Sequence, residues 1–150
     1  MNIVLIAQER KRDLLIRFCD AYRVILQKHS LFTTEELARA IGEAMECNVD
    51  AFLTKQRGGY QQIASRVICN EVDLFIFFRD PLTTTDTEEM CGSEVLRMCD
   101  VHSVPFATNI ATAETIILGL ERGDLDWRII MNSSSLERLE RTGASDVGAT

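Results

Sequence analysis

Short continuous runs of apolar residues alternate along this chain with segments whose apolar positions recur every three or four residues. Ile3 to Ala7 is the first such run, and the charged stretch Glu9-Arg10-Lys11-Arg12-Asp13 bounds it. This predicts a buried strand that feeds a helix. Leu14, Leu15, Phe18, Tyr22, Ile25 and Leu26 then follow at helical spacing. The unit repeats. Leu31–Thr33 predicts a strand before a helix from about Glu35 to Met45, and Val49–Leu53 a strand before a Gly58-Gly59 turn and a helix from about Gln61 to Cys69. Leu74–Phe78 is the most hydrophobic strand. Beyond it come a polar loop over Thr83–Glu89, a helix ending near Asp100, a fifth strand at Val104–Ala107 and a helix from about Ala111 to Leu120. Strands apolar along their whole length need cover on both faces, so the alternation predicts an α/β domain with a mainly parallel sheet between two helical layers.

In such sheets ligands sit outside the carboxyl ends of the strands. That directs attention to the loops Gln8–Arg12, Thr33–Glu36, Thr54–Tyr60, Arg79–Thr87 and Thr108–Thr112. After Met131 the composition changes. Asn132-Ser133-Ser134-Ser135 reads as a linker, and Gly143–Thr150 has little to bury. One domain over residues 1–131 and a flexible C-terminal tail over 132–150 are expected, with one or two helical turns at Leu136–Arg141.

Composition narrows the partners. With 150 residues and 46% apolar positions the chain can bury one substantial core. Lys and Arg number 16 against 23 Asp and Glu, a net charge of −7, and no extended basic cluster occurs. Nucleic acid and anionic membrane surfaces are therefore not expected as partners. No apolar stretch approaches the roughly 20 residues that cross a bilayer, and no basic flank of a signal peptide precedes Ile3, so a cytoplasmic location is expected. Cys19, Cys47, Cys69, Cys91 and Cys99 are widely spaced and lie mostly among apolar neighbours, the pattern of reduced thiols. His29 and His102 stand apart from any carboxylate or thiol cluster, so no metal site is expected.

Three groups of residues together resemble the methylglyoxal synthase family. They are Gly58-Gly59 with Gln61-Gln62, Asp73-Leu74 with Phe77-Phe78-Arg79-Asp80-Pro81-Leu82, and Val104-Pro105 with Ala107-Thr108-Asn109 and Thr112-Ala113-Glu114. The resemblance runs from about Ile3 to Ile130. It implies a Rossmann-like, five-stranded domain, usually a homohexamer, that eliminates phosphate from dihydroxyacetone phosphate to give methylglyoxal without a cofactor. It also implies an aspartate base, a histidine, and a phosphate cradle of small hydroxyl residues, glycine amides and a lysine. Domains of this type serve elsewhere as regulatory modules that bind effectors without catalysis.

The loops depart from that pattern. Where the family reads Ser-Gly-Pro-x-Gly-Gly-Asp-Gln-Gln, with the Asp as base, this chain reads Thr54-Lys55-Gln56-Arg57-Gly58-Gly59-Tyr60-Gln61-Gln62. A phenol, whose ordinary pKa is about 10, is protonated at neutral pH. Tyr60 serves as a base only if a cation such as Lys55 or Arg57 lowers that value, and otherwise fills an altered pocket. The cradle Thr-Gly-Thr-Thr becomes Thr34-Glu35-Glu36-Leu37, which puts carboxylates where phosphate is expected, or alternatively makes Thr34 a helix N-cap with Glu35 and Glu36 in the first turn. Ala-His-Asp becomes Ala7-Gln8-Glu9, and Arg12 takes the place of the family's lysine. Asp80 matches a family carboxylate, or caps the turn at Pro81. The family's Pro-His-x-Pro-Asp has no counterpart in Thr83–Met90.

These changes favour a catalytically impaired member that binds a small anionic metabolite, phosphate-bearing or otherwise. Its ligand residues would be Arg12, Thr34, Thr54, Lys55, Gly58 and Gly59. The alternative is an active synthase, a carbon–oxygen lyase, with Asp80, Glu9 or Tyr60 as the catalytic group. A structural subunit supporting an active relative is a third reading.

Overall fold

The computed structural model describes residues 1–82 and 86–131. The expected tail over 132–150, the turns at Leu136–Arg141 and residues 83–85 lie outside the described residues. Strands β1 (Asn2–Ala7), β2 (Ser30–Thr34), β3 (Asp50–Phe52), β4 (Leu74–Phe78) and β5 (Phe106–Ala107) form one parallel sheet in the order β3-β2-β1-β4-β5. The order reverses between β1 and β4, whose register pairs Ile3 with Leu74 and Ala7 with Phe78. Both central strands are buried on two faces, which is why their sequences show no polar alternation.

Helices cover the sheet on both sides. On one face lie α1 (Arg12–Ala21), α2 (Arg23–Leu26), α3 (Glu35–Met45) and α6 (Ile110–Arg122), which bury Leu15, Phe18, Leu26, Leu37, Ile41 and Ile117 against Ile3, Leu5 and Ile76. On the other, α4 (Gly59–Ile68) and α5 (Asp86–Val101) bury Ile63, Val67, Val95 and Cys99 against Val4, Ile6, Phe75 and Phe77. A short α7 (Trp127–Met131) closes the described chain, held by the buried Arg128, which donates to the carbonyls of Ser103 and Val72.

Two expectations change in detail. The helix expected through Leu26 breaks at Tyr22, whose φ of −106° and ψ of 22° are non-helical. Periodicity missed this because α1 and α2 bury the same side. The polar loop expected over Thr83–Glu89 is shorter, since α5 already begins at Asp86.

Candidate active site

The loops after β1, β2 and β3 converge at the carboxyl edge of the sheet on a cleft of about 230 Å³. That is room for a small metabolite, below the ~300 Å³ at which drug-sized pockets begin. Ala7, Glu9 and Arg12 line it from the first loop, Thr34, Glu36 and Leu37 from the second, and Lys55, Gln56 and Tyr60 from the third. Two carboxylates and two cationic side chains thus line one small space. Polar contacts tie the walls together: the Arg12 guanidinium donates to the Glu36 carbonyl at 3.2 Å, and the Lys55 backbone N–H donates to the Glu36 carboxylate at 3.1 Å.

Of the residues expected from sequence, the fold brings together Glu9, Arg12, Thr34, Lys55 and Tyr60. Tyr60 is 4% exposed, and its ring stands edge-on to Phe77 with centroids 5.8 Å apart. It lies in the first turn of α4 and belongs to the core as much as to the cleft. Arg57, expected as one source of a lowered phenol pKa, is exposed and does not line the cleft.

Thr54, Gly58, Gly59 and Asp80 are not among the lining residues. The Thr54 carbonyl accepts from the amides of Arg57 and Gly59, at 3.0 and 2.9 Å. The Gly59 amide therefore folds the turn rather than facing an anion. Gly58 adopts a φ of +99°, the left-handed region that glycine tolerates. Asp80 is buried; its carboxylate accepts from the Leu82 amide at 3.1 Å and lies 3.8 Å from Arg10 Nε. Its role as a turn cap is thus realised in the geometry.

Two further expectations are corrected. Thr34 occupies the N-cap of α3, but its side chain makes no capping hydrogen bond. Of the two carboxylates expected in the cradle, only Glu36 lines the cleft, while Glu35 is exposed. Sequence reasoning missed Gln8: it is buried, and its side-chain carbonyl accepts from the Asp80 amide, which ties the end of β1 to the end of β4. Nothing in the local sequence marks that long-range contact. Gln56 was also missed as a lining residue, although it sits in the loop Thr54–Tyr60, while Leu37, the last position of the altered cradle, lines the cleft from within α3.

Among the described residues no group of three or more His, Cys, Asp or Glu is placed to hold a metal ion. The described thiols of Cys19, Cys47, Cys69 and Cys99 are free, and burial pushes Cys19 and Cys99 up to about 12. Those two are poor nucleophiles. No described helix is long and apolar enough to cross a membrane.

No family model matches the chain. Individual relatives do. Methylglyoxal synthase of Caldicellulosiruptor saccharolyticus is 49% identical over 132 residues, 88% of this chain and 93% of that protein. The synthase of Oceanobacillus iheyensis is 44% identical over 143 residues, 95% of this chain and 99% of that protein. The crystal structure of methylglyoxal synthase from Elizabethkingia anophelis superposes with a TM-score of 0.69 at 29% identity, covering 77% of this chain and 76% of that one. Identity of this level over nearly the whole of both sequences, joined to the same fold, places the chain in the methylglyoxal synthase family.

Proposed function

We propose that the chain is a carbon–oxygen lyase of methylglyoxal synthase type, which eliminates phosphate from dihydroxyacetone phosphate to give methylglyoxal. The observation that carries this reading is the 49% identity to a named synthase over 93% of that protein. Such identity supports an active enzyme better than an impaired one. The cleft supports it in kind: it is small, it lies at the strand ends, and Arg12 and Lys55 offer positive charge to a phosphate-bearing ligand.

Glu9 is the base in this proposal. It is a carboxylate in the cleft wall directly after β1, whereas Asp80 is held in its turn outside the lining. Glu9 takes the proton from the hydroxyl-bearing carbon next to the carbonyl, the enediolate forms, and the carbon–oxygen bond to phosphate breaks as phosphate leaves. The enol left behind takes up a proton on its terminal carbon and loses its hydroxyl proton to give methylglyoxal. A homohexamer in the cytoplasm, with its family domain over residues 1–131, completes the proposal on family resemblance.

One observation favours the second reading, an impaired member that only binds an anionic metabolite: Tyr60, rather than a carboxylate, stands at the family's base position and is packed on Phe77. Turnover separates the two. The purified protein is expected to release methylglyoxal from dihydroxyacetone phosphate at about 1 s⁻¹ or faster. Glu9→Gln is expected to lower that rate by roughly 10²- to 10⁴-fold. A trace rate in the unaltered, folded protein would establish the impaired reading.

A further inference from the structure

The contact between Glu36 and the loop after β3 gives the cleft a property beyond its size and location. Lys55 opens the short 3₁₀ turn Lys55–Arg57, and its backbone N–H is a donor at the cleft wall. An amide at such a turn, beside the cationic side chains of Arg12 and Lys55, is a favourable partner for an incoming anion. In this chain the amide already has an anionic partner: the Glu36 carboxylate accepts from it at 3.1 Å. Glu36 is held in place from its other end too, since Arg12 donates to its backbone carbonyl at 3.2 Å. Its neighbour Glu35 carries the same charge but is exposed and does not line the cleft.

We propose that Glu36 is the specificity-determining residue of the cleft: a resident carboxylate on the Lys55 amide, which an anionic ligand must displace. The cleft thereby discriminates against compact, doubly charged phosphates. It admits a phosphate-bearing substrate only when the rest of that substrate adds contacts of its own. This rests on the reading of the cleft as the site for a phosphate-bearing ligand. Like charges at close range in a confined site oppose binding strongly, and a neutral side chain at the same position removes that opposition.

The test titrates inorganic phosphate by calorimetry, at fixed ionic strength and neutral pH, into the folded wild type and three variants. Glu36→Ala removes both charge and acceptor and is expected to bind phosphate roughly tenfold or more tightly than wild type. Glu36→Gln keeps an acceptor for the amide without the charge, so it is expected to fall between the two. Glu35→Ala loses the same charge one residue away and is expected to match wild type within about twofold. The graded order supports the proposal. Equal affinity in wild type and both Glu36 variants overturns it, as does an equal gain from Glu35→Ala, which would reduce the effect to net charge. Absence of phosphate binding in all four proteins also overturns it. Turnover of dihydroxyacetone phosphate by the wild type is measured separately, so the functional reading stands or falls on that rate alone.

Discussion

Gly59 illustrates how tightly single residues set the cleft. A Cβ added there would lie 2.1 Å from the Leu53 carbonyl oxygen and 3.0 Å from that of Thr54. Both are backbone atoms next to β3, so neither can swing aside as a flexible side chain does. Gly59→Ala is therefore expected to lower stability by at least about 1–3 kcal/mol in urea denaturation. A variant within about 0.5 kcal/mol of wild type would show that the loop relaxes freely. The Gly58-Gly59 pair was legible in the sequence as a turn, yet its chemical role was not: sequence reading offered both amides to an anion, whereas the Gly59 amide is held by the Thr54 carbonyl. Which donor stays open depends on how a loop closes on itself, and composition does not encode that. The same limit explains Gln8 and Glu36. Gln8 reads as a polar loop residue, but its partner is 72 positions away. Glu36 reads as an ordinary acidic residue in a first helical turn, where its carboxylate would favour the helix dipole. Its contact to Lys55, across 19 positions, exists only because β2 and β3 are neighbours.

Among elements, α6 shows which part of the family motif serves the fold. Asn109 is its N-cap, and the side-chain oxygen accepts from the Thr112 amide at 3.0 Å and lies 3.2 Å from the Thr112 hydroxyl. The Asn109 and Thr112 positions, quoted above for family resemblance, thus fix the start of a helix that buries Ala113, Ile117 and Leu120. Replacing Asn109 with Ala is expected to cost about 1 kcal/mol, seen as a lower thermal midpoint. No change in that midpoint would mean that water satisfies the Thr112 amide equally well. Strong hydrophobic periodicity made most elements readable, from β1 to α6. Elements held by polar contacts at long range were not. Helix α7 depends on Arg128, whose guanidinium reaches the carbonyls of Ser103 and Val72 and lies 3.9 Å from Asp73. None of those partners is close enough in sequence to leave a local signal.

For the molecule as a whole, the sheet order is the main thing that alternating strands and helices leave open. Parallel strands with helical crossovers admit several orders, and only the tertiary contacts select the reversal between β1 and β4. Polar ties at the amino edge of the sheet help to fix that order. The Asn2 amide donates to Asp73 at 2.8 Å, the Ser30 amide to the Met1 carbonyl at 3.0 Å, and the Met1 amino group faces His29 Nδ1 at 3.2 Å. The last of these makes global stability depend on pH. Burial holds the His29 imidazole below its ordinary range; the N-terminal ammonium and Lys28 push the same way, against Glu121 and Asp73. The folded state therefore favours the neutral ring, while the unfolded chain takes up its proton near the ordinary value of about 6.5. As pH falls, the unfolded state binds more protons first. The stability present above about pH 6.5 is then lost as the pH drops toward and through the lowered folded value. Thermal midpoints of the wild type are expected to fall between about pH 7.5 and about pH 5.5, the range in which histidine titrates. His29→Gln keeps a polar partner for the amino group but removes this titration, so its midpoint is expected to fall by less. His102 and the carboxylates are common to both proteins and cancel in the comparison. Equal falls in the two proteins would take His29 out of the pH dependence and leave its contact with Met1 a matter of packing alone.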